Sequence, residues 1–229
     1  MNTQPARQRR REAARARQTV RRHRDRRRLV AAVALAVLLV AGIAGLAVVI
    51  AGRSGGAATA PGAPPGLQTG PAPWSVDTAD LAARLRDIGL PPLRPAEGTA
   101  VHIHQHLDLY VDGGEVPVAA GIGIDPTTGF APLHTHDASG VIHVESPTVR
   151  GYSLGEFFAV WGVRFTPTCL GGYCAAGNRR LRVYVDGHPV RSDPTALTLV
   201  SHQEIVVAFG TAAQLPSPIP STYRFPPGL

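Results

Sequence analysis

From Val101 to Val111 the chain reads V-H-I-H-Q-H-L-D-L-Y-V, and this alternation limits the fold more than any other stretch. Val101, Ile103, Leu107, Leu109 and Val111 fall at one parity, and His102, His104, His106, Asp108 and Tyr110 at the other. Successive side chains of a strand point to opposite faces, so this is a strand with an apolar face and an imidazole-rich face. Gln105 alone interrupts the apolar side. Asp112-Gly113-Gly114 is a hairpin turn signal, and Val116–Ile124 reads as the return strand.

A second hairpin is expected from Leu133–Asp137 and Val141–Ser146, turning about Ala138-Ser139-Gly140. A register that pairs His134 with His143 also pairs His136 with Val141. His134, His136, His143 and Glu145 then share one face, with directly opposed Cβ atoms about 5 Å apart. Three imidazoles and a carboxylate are the composition of a transition-metal site. Zinc takes imidazole nitrogen at about 2.0–2.1 Å, and copper also takes imidazole readily. The inference depends on the turn, because a one-residue bulge would break the register.

His102, His104 and His106 form a second row, with ligands about 6.6–7 Å apart along one strand. Two of them can share a metal, but three along a straight strand converge poorly. One or two are therefore expected to complete the hairpin site. Asp108 and Asp137 are candidates to orient ring N–H groups. The same histidines also admit other readings. They can form a hydrogen-bonded polar layer in a cell-envelope interaction module, or a pH-responsive face, since clustered imidazoles titrate between about pH 5 and 8. A metal-dependent hydrolase or lyase would further need an open coordination position and a cleft. No phosphate-binding loop, dinucleotide fingerprint or nucleophile elbow offers another catalytic route, so no catalytic residue is assigned.

Downstream, Leu154, Phe157, Phe158 and Trp161 fall at helical spacing with Ser153 as a cap. Leu181–Val185, Leu197–Leu199 and Ile205–Phe209 read as strands, and the proline-rich Pro216–Leu229 as an extended strap. The order strand, strand, helix, strand, strand from 141 to 209 predicts an α+β domain with a β-grasp-like ββαββ portion, extended or flanked by the histidine strands. Upstream, Asp77 is a plausible helix cap, Leu81, Leu85 and Ile88 make one stripe, and Gly89 with Pro91-Pro92 ends the helix. Cys169 and Cys174 suit a disulfide in an oxidising compartment. Their spacing departs from the redox C-x-x-C motif.

Leu29–Ile50 is an uncharged apolar run. As a helix it would span about 33 Å, enough for the bilayer core of about 30 Å. Residues 1–28 carry twelve arginines against Glu12 and Asp25, so the net charge of +7 belongs to this tail and does not imply nucleic-acid binding. Arginines on the N-terminal side of a span favour a cytoplasmic tail. The organisation expected is a cytoplasmic tail at 1–28, a transmembrane helix at 29–50 in contact with lipid, a Pro/Gly/Ala linker at 51–73, and an extracytoplasmic domain at 74–229 held at the plasma membrane.

Gly89-Leu-Pro-Pro-Leu93, Glu97-Gly98-Thr99, the run His102 to Gly113, the run Leu133 to Ser146 and Leu154-Gly-Glu-Phe-Phe158 through Trp161-Gly162 resemble a group of bacterial membrane-anchored or secreted proteins. The resemblance covers about residues 85–229. It implies an extracytoplasmic domain behind a single anchor and carries no activity onto any residue.

Overall fold

A computed structural model describes residues 64–229. The apolar run at 29–50, the arginine-rich tail and most of the linker lie outside the described residues. No helix among the described residues is long and apolar enough to cross a membrane. Residues 64–73, the end of the segment read as linker, lie along the domain. The Gln68 amide donates to the Gly162 carbonyl at 2.7 Å, the Gly172 amide donates to the Gly70 carbonyl at 2.6 Å, and Trp74 is buried.

The fold is α+β. Helix α1 (Leu81–Asp87) precedes strands β1 (Val101–Val111) and β2 (Gly114–Val116), then a small pair, β3 (Ile124–Asp125) and β4 (Gly129–Phe130). Next come β5 (Leu133–His134), β6 (Val141–Ser146) and helix α2 (Leu154–Trp161). A second small pair follows, β7 (Cys169–Leu170) and β8 (Tyr173–Cys174), then β9 (Arg180–Val185), β10 (His188–Pro189) and β11 (Glu204–Gly210). The main sheet runs β10-β9-β11-β1-β6-β5, and β2 also pairs with β1.

The histidine strand β1 does not flank the sheet, as the sequence order suggested. It lies at the centre, antiparallel to β6 over Val101–His106 and parallel to β11 over His106–Val111. Alternation sorts side chains onto faces but says nothing about neighbours. Leu107 and Leu109 are almost fully enclosed there, with β6 and β11 on either side. They share one core with Ile142 and Val144 of β6, Ile205 and Val207 of β11, and Leu154, Phe157, Phe158 and Trp161 of α2. The opposite face carries the imidazoles. Helix α2 begins with the capping box that its sequence encodes, Ser153 accepting from the Glu156 amide while Glu156 accepts from the Ser153 amide.

Three expected elements differ. The return strand from Val116 stops almost at once. The chain turns back through Gly121 and Gly123, and at Gly123 a Cβ would lie 2.2 Å from the Leu133 carbonyl oxygen, so only glycine fits. Leu197–Leu199 is no strand of the sheet. Asp193 caps a single 3-10 turn at Pro194–Ala196, and Thr198 then makes an isolated bridge to Ser153. Helix α1 starts at Asp80 rather than Asp77. Asp77 instead accepts from the Ala79 amide and from Arg84, a fully buried cation on the helix that also donates to the Val160 carbonyl.

Candidate metal centre

Two registers bring the histidine motifs together. Across β1 and β6, His102 faces Glu145 and His104 faces His143; across β5 and β6, His134 faces His143. His143 is therefore the hub. Its ring centroid lies 4.5 Å from His104, 5.3 Å from His134 and 4.5 Å from His136. His134, His136, His143 and Glu145 each offer a ligand atom, all within 4.8 Å of one another. His102, His104 and Glu145 form an adjoining set that shares Glu145. His104, His134, His143 and Glu145 are buried, while His102 and His136 are exposed and open the cluster to solvent.

The hairpin is shorter than its sequence suggests. Strand β5 ends at His134 because Thr135 turns away, its amide donating to the Ile122 carbonyl and its hydroxyl to the Ala119 carbonyl. The β5–β6 ladder therefore holds only Leu133 with Val144 and His134 with His143, and His136 makes no ladder pair with Val141. It enters the cluster from the loop, its ring perpendicular to that of His134.

Hydrogen bonds settle which nitrogens carry lone pairs. His134 donates from Nδ1 to the Ala131 carbonyl at 3.0 Å, which leaves Nε2 as its acceptor nitrogen. That Nε2 is buried and has no hydrogen-bond partner. His143 donates from Nδ1 to Glu145 Oε1 at 3.0 Å, again freeing Nε2. A ligating imidazole is commonly held this way by a carboxylate on its other nitrogen. Glu145, read from sequence as a ligand, thus orients His143 through Oε1 and also lies 3.3 Å from His102 Nε2 and 3.6 Å from His104 Nε2.

Sequence reasoning missed Glu97. Its Oε1 is 3.2 Å from His136 Nε2 and 3.7 Å from His134 Nε2, and it borders a cleft of ≈ 360 Å³ with Arg94, Gly98 and Pro147. An isolated acid in a loop has no periodicity to mark it, and its one trace in the sequence is the Glu97-Gly98-Thr99 run of the resemblance. Asp137, read as an orienter of ring N–H groups, accepts the Ser139 amide at 2.9 Å in the turn.

The electrostatics favour uncharged imidazoles. Burial drives the His134 pKa down to about 4, against the opposing pull of Glu145. Burial and neighbouring imidazoles also lower His104 and His143. For Glu145, burial raises the pKa, but the His143 hydrogen bond and the nearby imidazoles outweigh it and keep the carboxylate ionised. Neutral imidazoles beside a carboxylate are in the protonation state that metal binding requires.

His106 is separate from this group. Its Nδ1 lies 2.8 Å from Glu204 Oε2, its Nε2 lies 2.8 Å from the Ser139 carbonyl, and its ring stacks on Tyr223 of the C-terminal strap at 3.7 Å. Burial opposes protonation of His106, but the Glu204 hydrogen bond and charge outweigh it and raise its pKa. Asp108, expected as an orienter, is 4.0 Å from His106 Nδ1, and Glu204 on β11 holds the ring instead. Burial first, and then the Glu204 charge, raise the Asp108 carboxyl to about 6.

Cys169 and Cys174 face each other across β7 and β8 and are disulfide-bonded. Compared with protein-family models, with curated proteins and with solved structures, the chain matches none.

Proposed function

We propose that this chain is a single-pass, membrane-anchored protein whose extracytoplasmic domain binds one transition-metal ion, zinc or copper. His134, His136 and His143 supply imidazole nitrogens, and Glu97 or solvent completes the coordination. The observation that carries the reading is the buried, unpartnered Nε2 of His134, directed among other imidazoles while its Nδ1 is fixed on Ala131. Burying a polar atom without a partner costs roughly 1–3 kcal/mol, and a metal–nitrogen bond removes that penalty. His104 and His102 stand beside the ion on β1. The anchoring part of the reading rests on the apolar run and the arginine-rich tail. The strand order β9-β11-β1-β6, with α2 between β6 and β9, supports a β-grasp-like unit in which β1 is the first strand.

Elemental analysis of the full-length chain, purified without a histidine tag and dialysed against zinc or copper, tests this. The expected result is about one ion per chain, lost in both His134→Ala and His143→Ala. Unchanged stoichiometry in those variants, or no ion under any loading, refutes the reading. The histidines then serve as a polar layer of an interaction module.

A further inference from the structure

The three-imidazole group accounts for one end of the histidine face. At the other end, His106, Asp108 and Glu204 form a second cluster whose ligand atoms also lie within 4.8 Å of one another. We infer that this cluster is a distinct divalent-cation site, of the oxygen-preferring kind represented by Mn²⁺, independent of the imidazole centre.

Three observations carry it. First, Glu204 is almost wholly enclosed, its side chain 2% exposed, and its Oε1 has no hydrogen-bond partner. Buried carboxylate oxygens are normally bonded or bound to an ion, because desolvating them unpaired is costly. Second, His106 is held through Nε2 on the Ser139 carbonyl, which turns Nδ1 toward the two carboxylates. Nδ1 and Glu204 Oε2 lie 2.8 Å apart and share one proton, the position that a cation would take over. Two ligands at right angles around an ion, with bonds of about 2.1 Å, lie about 3.0 Å apart, so a shift of a few tenths of an ångström suffices. Third, two carboxylates converge here, and among the described residues no arginine pairs with either; His106 is their one basic partner. A dication balances this charge better than a single proton does.

The site has an opening. A cleft of ≈ 340 Å³ lined by Asp108, Glu115, Ser139 and Gly140 reaches Asp108, so water can complete the coordination from that side. Tyr223 covers the His106 ring face and fixes its plane. The donor sets separate the two centres. Two carboxylates with one imidazole suit manganese, whereas three imidazoles suit zinc or copper. Along β1, His104 beside the imidazole centre and His106 in this cluster are two residues apart, about 6.6–7 Å.

The test is a Mn²⁺ titration of the full-length chain, with and without one equivalent of Zn²⁺, followed by electron paramagnetic resonance of free Mn²⁺ and by paramagnetic broadening of NMR signals. The expected result is one bound Mn²⁺ per chain in both conditions, with broadening first at Gly140 and Tyr223. His134→Ala leaves this binding unchanged, so failure of the imidazole reading does not affect it. Glu204→Gln and the more exposed Asp108→Asn each weaken it at least tenfold. The wild-type broadening map decides the matter even if the buried variant fails to fold. Absence of Mn²⁺ binding, broadening centred on His136 and Glu97, or full affinity in Asp108→Asn overturns the inference.

Discussion

His104 lies directly opposite His143 in the antiparallel β1–β6 register, with ring centroids 4.5 Å apart and planes at 80°. The pair joins two motifs almost forty residues apart in the chain. It turns two separate histidine rows into one face, with Glu145 accepting from His143 and lying beside His102 and His104.

Metal loading should stabilise the domain. A ligand held at one hundred times its Kd contributes about 2.7 kcal/mol. For a domain of this size that corresponds to a rise in Tm of about 5–10 °C. Differential scanning calorimetry with zinc, before and after chelator, should show this rise and its reversal. His143→Ala should show neither. An equal rise in the variant would place the ion elsewhere.

Acid should weaken the metal-free domain through His134. Its folded pKa of about 4 lies below the ordinary imidazole value of 6.5, so between these values the unfolded chain binds a proton that the folded chain refuses. Stability from this residue is full above pH 6.5 and is lost as the pH falls toward 4, by on the order of 3 kcal/mol. Glu145, with a lowered folded pKa, adds a loss of the same sign at still lower pH. His106 has a raised folded pKa and acts oppositely, its stabilisation declining as the pH rises through that value. Urea unfolding at pH 7.5, 6.0 and 5.0 should show declining stability, with a shallower decline in His134→Gln. A flat or rising trend in the wild type would contradict the assignment.

Gln105 is wholly buried on the apolar face of β1, and neither atom of its amide has a partner. Gln105→Leu or Gln105→Met removes two unsatisfied groups at nearly constant volume. A gain of roughly 1–3 kcal/mol in chemical denaturation is expected. A loss would mean that the amide has a bound partner in solution.

Arg84 is a buried cation whose ionic partner is Asp77, 2.9 Å away. Removing one partner of such a pair strands the other charge and costs about 3–5 kcal/mol, whereas an apolar replacement of the cation is far better tolerated. Asp77→Ala should therefore destabilise the domain much more than Arg84→Met combined with Asp77→Ala. Equilibrium unfolding of the two variants provides the comparison.

The sequence by itself determined the local features of this domain. Alternation over Val101–Val111 made one face apolar and the other imidazole-bearing, because side-chain direction in a strand follows from backbone geometry alone. Ser153 with Glu156 set the start of α2, and Gly89 marked the end of α1, for equally local reasons. The pairing of His134 with His143 was legible too, since a short turn sets the register of its own hairpin. What only the tertiary structure decided is which distant strands lie side by side. Placing β1 between β6 and β11 put His104 against His143 and brought Glu204 to His106. It divided the histidine row between two groups, and the chain path brought the loop acid Glu97 to His136. Such neighbours are chosen by burial of the whole apolar face under α2, a collective quantity that no short window of residues contains.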